Sequence, residues 1–439
     1  MNLVDINSIQ NAFLVYIDVE SLNKKNKLEN SFEEFKNLVI SSGTSIEGHI
    51  TFNQKTPVIN TFISKGKLEK LKEQVQNNNV DLVIINHELS ASQTRNLEKF
   101  LNKRVIDKTE LILDIFATRA SSHIGKLQVE LAQLNHLSTR LIRGWTHLER
   151  QKGGIGLRGP GETQLETDRR LISKRIKRLN QRLDKSHKQK QINRYSRKKS
   201  RNRLVALVGY TNAGKTTLFN KLTESSQIAE DKLFATLDSV TRKNKNPRHG
   251  PILFSDTVGF ISDLPTQLIE SFKATLDELK SADLLLHVVD ISDIDAKSKI
   301  KEVNNILSEI GVMHIPQIIV NNKCDLIKDS KIQPLKIRKK DEAFISAENE
   351  KEFEDLRSKI NTKLFNGIYT GWISMENNLG NLRSSLFDMG CIKDEKTSNC
   401  GKMFANIRIG NDELDQFLTI KGFELCHDED ILLQTHNAK

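Results

Sequence analysis

A chain of 439 residues, 37% apolar and 28% charged, is long enough for about two to four domains and has the balance of a soluble globular protein. It has no run of about 18 apolar residues and no basic-then-apolar leader, which speaks against a membrane span and against secretion and implies the cytoplasm. The four cysteines, Cys324, Cys391, Cys400 and Cys426, lack C-x-x-C spacing, so plain thiols are expected rather than disulfides or a zinc site.

The formal net charge of +11 is concentrated in one place: between Thr163 and Arg203 stand 16 Lys or Arg against 3 Asp or Glu. Clustered cations gain free energy by releasing condensed counterions from a polyanion, most simply nucleic acid. Taken alone, the run fits a solvated helix face equally well.

From residue 13 to 120, β-branched and aromatic runs alternate with amphipathic ones. "FLVYIDV", "GHITF", "DLVIIN" and "RVID" read as strands. "SFEEFKNLVISSG", "KLEKLKEQVQ", "SASQTRNLEKFLN" and the stretch from Lys108 to about Ala120 read as helices, giving a small parallel α/β domain over residues 1–125.

From Leu127 the period changes. Leu127, Leu131, Leu134, Ser138, Leu141, Trp145 and Leu148 form a heptad seam that Leu165, Ile172, Ile176, Leu179 and Leu183 resume, which predicts an antiparallel helical hairpin over 126–202. Its tip, residues 151–161, holds five glycines, and Gly154, Gly156 and Gly159 spell G-x-G-x-x-G. A dinucleotide loop needs a strand before it and a βαβ unit around it. Here a helix precedes and no strand follows for about forty residues, so the glycines are read as a tight, RNA-facing tip carrying Lys152 and Arg158.

Next comes "RLVALVGYTNAGKTTLFNKL", in which Gly209, Gly214, Lys215 and Thr216 complete G-x-x-x-x-G-K-[ST] between an apolar strand and a helix. The loop Gly209, Tyr210, Thr211, Asn212, Ala213, Gly214, Lys215, Thr216, Thr217 is expected to bind nucleotide. Backbone N–H groups of Asn212 to Thr216 would wrap the β-phosphate, Lys215 would reach the β and γ oxygens, and the Thr216 hydroxyl would bind Mg²⁺. The base is read elsewhere. In "IIVNNKCD", Asp325 can accept two hydrogen bonds that guanine offers and adenine does not, Lys323 can lie along the base and Asn322 can brace the loop; Ser346 and Ala347 are placed to meet guanine O6. Between them, Asp256, Thr257, Val258 and Gly259 form D-x-x-G, with Asp256 holding Mg²⁺ through water and the Gly259 amide on the γ-phosphate. Upstream, Phe234, Ala235 and Thr236 of "LFATLDS" supply a second hydroxyl for the metal. Lys215, Thr236 and Gly259 are the residues expected to act on the reacting phosphate, and the order of these elements predicts a GTPase domain over 203–366 that binds GTP and GDP.

Phe260 follows Gly259, where many GTPases carry the glutamine that orients water. Hydrolysis is therefore expected to be slow without outside help, such as a partner or a monovalent cation, K⁺, held near Asn212. A plain turn residue is the competing reading of Asn212.

With these motifs in hand, the chain resembles the HflX family of ribosome-associated GTPases: "GGIGLRGPGETQLETDRRLI", "LVGYTNAGKTTLFN", "LFATLD", "DTVGFI" and "NKCD" stand in the family order from about Lys65 to Phe365. The segment from "GNLRSSLFDMG" onward is similar to the small C-terminal α/β domain of some members, set at 374–439. The resemblance implies GTP-driven binding to the 50S subunit, splitting of stalled or idle 70S ribosomes under stress, ribosome-stimulated hydrolysis, and contact of the hairpin and glycine tip with 23S rRNA; a monomer is expected. Ser239 stands where proline is common, which would loosen the first switch, Thr217 stands where serine is frequent, and Glu348-Asn349-Glu350 replaces a glycine-containing turn after Ala347. The alternatives are a GTP-switched rRNA-binding or assembly factor with little turnover, and an RNA-modification GTPase, for which no second catalytic centre is legible.

Overall fold

The computed structural model describes residues 11–22, 31–144, 160–199, 203–225, 233–234, 236–244, 252–261, 278–339, 341–346, 349–398 and 402–426. The N-terminal unit alternates β1 (Asn11–Val19), α1 (Ser31–Ser41), β2 (Ser45–Gln54), α2 (Lys65–Asn77), β3 (Leu82–Ile85), α3 (Ala91–Leu101), β4 (Arg104–Asp107) and α4 (Lys108–Arg119). Its sheet is parallel in the order β2-β1-β3-β4. Both faces are covered by helices, which is why β3 is buried at all four positions. Ser90 and Gln93 close a capping box on α3, and the Asp107 carboxylate caps α4 by accepting from the Glu110 N–H at 2.8 Å.

In such a sheet, ligands usually enter where the strand order reverses, here between β1 and β3. Asn86 accepts from the Ile17 N–H at 2.8 Å and donates to the Ile17 carbonyl at 3.1 Å, tying the two strand ends together.

Helices α5 (His123–Gly144) and α6 (Pro160–Lys199) follow. Leu127 and Leu131 pack against Leu179 and Leu183, with Ile124, Leu134 and Ile176 beside them, and Arg175 pairs with Glu130 at 2.6 Å. Leu127, Leu131, Leu134, Ile176, Leu179 and Leu183 belong to the seam read from the heptad spacing, while the side chains of Leu141 and Leu165 lie outside the described ones. Helix α6 begins at Pro160, inside the stretch read as tip loop, because proline lacks the N–H that the first helical position leaves unused. Trp145, Leu148, Lys152, Arg158 and the tip glycines up to Gly159 lie outside the described residues. At 40 residues α6 is about 60 Å long, and Leu183 is its last buried side chain among those described. Arg140 of α5 forks between Asp107 at 2.7 Å and Glu110 at 2.6 Å, fastening the hairpin to α4. His136 lies within 4.8 Å of both carboxylates, which the Arg140 guanidinium bridges.

The next unit carries β5 (Arg203–Gly209), α7 (Lys215–Thr223), β6 (Val240–Lys243), β7 (Ile252–Asp256), β8 (Leu284–Asp290), α8 (Ala296–Ile310), β9 (Gln317–Asn322), α9 (Asp329–Arg338), β10 (Ala343–Phe344) and α10 (Glu350–Phe365). The sheet order is β10-β9-β8-β5-β7-β6, parallel except at the β6 edge. A third unit, β11 (Ile368–Met375), α11 (Gly380–Asp388), β12 (Ile392–Thr397), β13 (Met403–Gly410), α12 (Asn411–Leu418) and β14 (Phe423–Cys426), forms an antiparallel sheet in the order β12-β13-β11-β14, a split βαβ arrangement. It starts ahead of the boundary read at 374, because β11 is one of its two central strands.

The first two sheets share a core. One apolar cluster joins Phe35, Leu38, Phe116 and Val129 of the N-terminal unit and hairpin to Tyr210, Leu233, Phe234, Leu237, Val258 and Phe260. The second set comes from the loops that carry the phosphate and switch motifs, so those loops are built into an interdomain core.

Candidate functional site

The loop between β5 and α7 is shaped by its backbone. Gly214 sits at φ 88°, and a Cβ there would stand 2.1 Å from Asn322 Nδ2, so only glycine fits. Asn212 also adopts the left-handed conformation, at φ 59°, which asparagine tolerates better than most residues. The Asn322 amide donates to the Ala213 carbonyl at 2.9 Å, joining the end of β9 to the loop. Lys215 is buried and donates from Nζ to the Tyr210 carbonyl at 2.7 Å; burial pulls its ammonium down to about 8, against the attraction of Asp256.

The first turn of α7, the switch segment and the end of β7 bring three oxygens together. Thr216 Oγ1 lies 2.8 Å from Thr236 Oγ1 and donates to Asp256 Oδ2 at 2.8 Å, while Thr236 Oγ1 donates to the same Oδ2 at 3.0 Å. Burial raises the Asp256 carboxyl above its ordinary range, opposed by Lys215 and the two hydroxyls. Asp256 Oδ1 is buried with no hydrogen-bond partner. Two hydroxyls and a carboxylate are hard oxygen donors, and the spare Oδ1 leaves capacity for a bound water, so the set fits a small divalent cation.

Beyond Asp256, Thr257 Oγ1 donates to the Leu207 carbonyl at 2.6 Å and Val258 turns into the shared core. Gly259 lies against the loop: a Cβ there would stand 2.8 Å from Thr211 Cγ2 and 3.0 Å from Lys215 Nζ. Phe260 accepts from the Thr211 N–H at 2.7 Å and donates to the Gly209 carbonyl at 3.2 Å. Its ring is only 2% exposed and belongs to the interdomain core, so this position serves packing rather than water activation.

In the turn read as meeting the base, Lys323 pairs with Asp290 at 2.7 Å, and Asp325 lies exposed in a short 3₁₀ turn, Cys324–Leu326. Burial pushes the Cys324 thiol up to about 11, the behaviour of a plain thiol. Ser346 departs from expectation. Its N–H, read as a contact for guanine O6, is donated to Glu352 Oε2 at 2.8 Å, because the first turn of α10 brings that carboxylate under the loop. Ala347 and Ala235 lie outside the described residues. Ser239 also departs: rather than loosening the switch, its hydroxyl donates to the buried Glu278 carboxylate.

A cavity of about 330 Å³ opens beside the phosphate loop, between Glu34 of α1, Tyr210 and Thr211 of the loop, and Lys299 of α8. His287 lines it, and burial, with Lys215 nearby, pulls the imidazole down to about 4, so it is neutral at physiological pH.

Sequence reading missed the contacts that tie this site to the rest of the chain. Tyr210 Oη donates to Glu34 Oε1 at 2.6 Å, the Leu233 N–H to Ser41 Oγ at 2.9 Å, and Phe234 meets Phe116 edge-on at 4.7 Å. Asp238 is held by Ser121 and Ser122. No local pattern marks such partners, which lie more than 100 residues apart.

At one end of the sheet β5 leads into the glycine-rich loop, β7 into Asp256 and Gly259, and β9 into the turn that holds Lys323 and Asp325. That layout is the one P-loop GTPases share. Residues 204–323 match the family described as 50S ribosome-binding GTPase, residues 29–117 the GTP-binding GTPase N-terminal region and residues 119–197 the GTP-binding GTPase middle region. The chain is 45% identical to GTPase HflX of Escherichia coli strain K12 over 379 residues, covering 86% of this chain and 89% of that protein. It is 47% identical to GTPase HflX of Caldanaerobacter subterraneus over 339 residues, covering 77% and 78%. A GTP-binding protein from Sulfolobus solfataricus, solved in complex with GDP, aligns at 26% identity and a TM-score of 0.43, covering 81% of this chain and 98% of that one. The chain belongs to the HflX family of GTPases. No helix among the described residues is long and apolar enough to cross a membrane.

Proposed function

We propose that this GTPase acts in the cytoplasm as a monomer, binds the large ribosomal subunit through 23S rRNA, and with GTP dissociates stalled or idle 70S ribosomes under stress, the ribosome stimulating hydrolysis. The observation that carries this reading is the polar face of α6, where Arg170, Lys174, Arg178, Arg182 and Lys185 are all exposed on a helix far longer than its apolar seam requires. Such a row suits a phosphate backbone. The matched family description, 50S ribosome-binding GTPase, supports the same partner.

Thr216 and Thr236 would hold Mg²⁺ directly and Asp256 through water, and the ion would neutralise charge developing on the transferred phosphoryl group. Lys215 and the Gly259 amide would bind the γ-phosphate, and Asp325 would select guanine. With Phe260 withdrawn into the core, K⁺ held near Asn212 would supply compensating charge. Asn212→Gly keeps a residue that accepts φ 59° but removes the side-chain oxygen, so it should abolish any preference for K⁺ over Na⁺ in turnover. An unaltered K⁺ preference in this variant would remove Asn212 from that role.

The test of function measures GTP turnover with and without 50S subunits, alongside sucrose-gradient profiles of 70S ribosomes given the protein with GTP, GDP or a non-hydrolysable analogue. Stimulation together with GTP-dependent loss of the 70S peak is expected. Binding without stimulation or splitting would favour the second reading, a GTP-switched rRNA-binding factor, which the burial of Phe260 also fits.

A further inference from the structure

Helix α5 begins in an unusual way. Its first turn contains a glycine, Gly125, which costs about 1 kcal/mol relative to alanine in a helix. The reason lies 113 residues downstream: a Cβ at Gly125 would stand 2.1 Å from Asp238 Oδ1. The Asp238 carboxylate accepts from the Ser121 N–H and hydroxyl, both at 2.9 Å, and from the Ser122 N–H at 2.7 Å, all on Oδ2. Oδ1 accepts from the Ser122 hydroxyl at 2.5 Å. Ser122 Oγ in turn accepts from the Gly125 N–H at 2.8 Å, so the carboxylate sits over the positive end of the α5 dipole.

Asp238 is two residues after Thr236, whose hydroxyl meets Thr216 and Asp256. On the other side of Thr236, Leu233 is tied to Ser41 and Phe234 to Phe116. The segment carrying Thr236 is therefore fixed on both sides, and its Asp238 side is fixed to the start of the hairpin.

We propose that Asp238 is a positioning residue for GTP hydrolysis: by seating on Ser121 and Ser122 it sets the Thr236 hydroxyl at the metal and γ-phosphate side of the site and couples that placement to the first turn of the hairpin helix. The coupling is reciprocal. Whatever holds Thr236 in place also holds the start of α5, and displacement of α5 displaces Thr236. This inference rests on the GTPase activity and not on the ribosomal reading above.

The test is single-turnover GTP hydrolysis by the full chain, paired with GDP affinity, since GDP lacks the γ-phosphate that orders such segments. Asp238→Ala should lower the rate about tenfold or more and leave GDP affinity within twofold; Asp238→Asn, which keeps one acceptor oxygen, should fall between. Gly125→Ala is the discriminating variant. It deletes no polar group, so if the seat of Asp238 served stability alone, the added methyl would lower stability by displacing the carboxylate and leave the rate unchanged. Under the proposal it pushes the carboxylate off its seat, slows hydrolysis as Asp238→Ala does, and adds nothing to that variant in the double mutant. Hydrogen exchange at residues 123–127 should also be slower with a GTP analogue than with GDP in the parent, and alike in both states in Asp238→Ala. A rate within twofold of the parent for Asp238→Ala, a parallel loss of GDP affinity, an unchanged rate for Gly125→Ala, or nucleotide-independent exchange in the parent would each overturn the assignment.

Discussion

The Asn322 side chain crosses from the end of β9 to donate a hydrogen bond to the Ala213 carbonyl, 2.9 Å away, so the strand that leads to the turn holding Lys323 and Asp325 also braces the phosphate loop. Both groups are buried. Removing the donor strands a buried carbonyl at a cost of about 1 to 3 kcal/mol. Asn322→Ala should therefore weaken GTP and GDP alike by roughly tenfold, as read by titration of a fluorescent nucleotide. A selective loss of GTP would show that the brace acts on the γ-phosphate side instead.

Asp325 stands exposed at the turn that follows, where its carboxylate can accept both guanine donors at once. Asp325→Asn replaces one acceptor oxygen with a donor, which matches the xanthine ring. Preference should move from GTP toward XTP by about 100-fold or more in competition binding, since a mismatched hydrogen-bonding site is strongly rejected. Unchanged GTP selectivity would remove Asp325 from base recognition.

Phe260 invites a substitution that should fail. Restoring glutamine after Gly259 would be expected to speed hydrolysis if the side chain faced the phosphate, but it is 2% exposed in the core shared by both sheets. Phe260→Gln should leave intrinsic turnover no faster and cost about 3 kcal/mol of stability or more in chemical denaturation. A faster, equally stable variant would show that this segment swings out in the active state.

His136 is buried, and burial together with the neighbouring Arg140 lowers its pKa from the ordinary 6.5, despite Asp107 and Glu110 nearby. Its folded form therefore resists a proton that the unfolded chain accepts. Stability should fall as pH drops below about 6.5, by at most about 1.4 kcal/mol per unit. Urea midpoints at pH 7.5 and 5.5 should drop less for His136→Gln than for the parent; parallel drops would assign the acid sensitivity to other groups.

What could be read from the sequence was what is local in the chain. The helix starting at Lys108, the strand and loop around Gly209 to Thr216 and the leucine seam of the hairpin each carry their pattern within a few turns or strand residues. Contacts across the chain left no such trace. Nothing in "LFATLDS" indicates that Asp238 meets Ser121 and Ser122, and nothing near Ser346 shows that Glu352 takes its N–H. The role of Phe260 was half legible: its inability to orient water follows from the residue type, its place in the core from partners contributed by another unit.

The edge-on contact of Phe116 with Phe234 has a consequence for the order in which the protein is made. The first ring is synthesised 118 residues before its partner, which at about 5 to 20 residues per second is an interval of roughly 6 to 24 s. For that time the N-terminal sheet has a completed strand order but lacks the surface that covers Phe116. Until the phosphate-binding loop and its neighbouring switch have emerged, the part of the apolar face around Phe116 that they cover has no cover from within the chain.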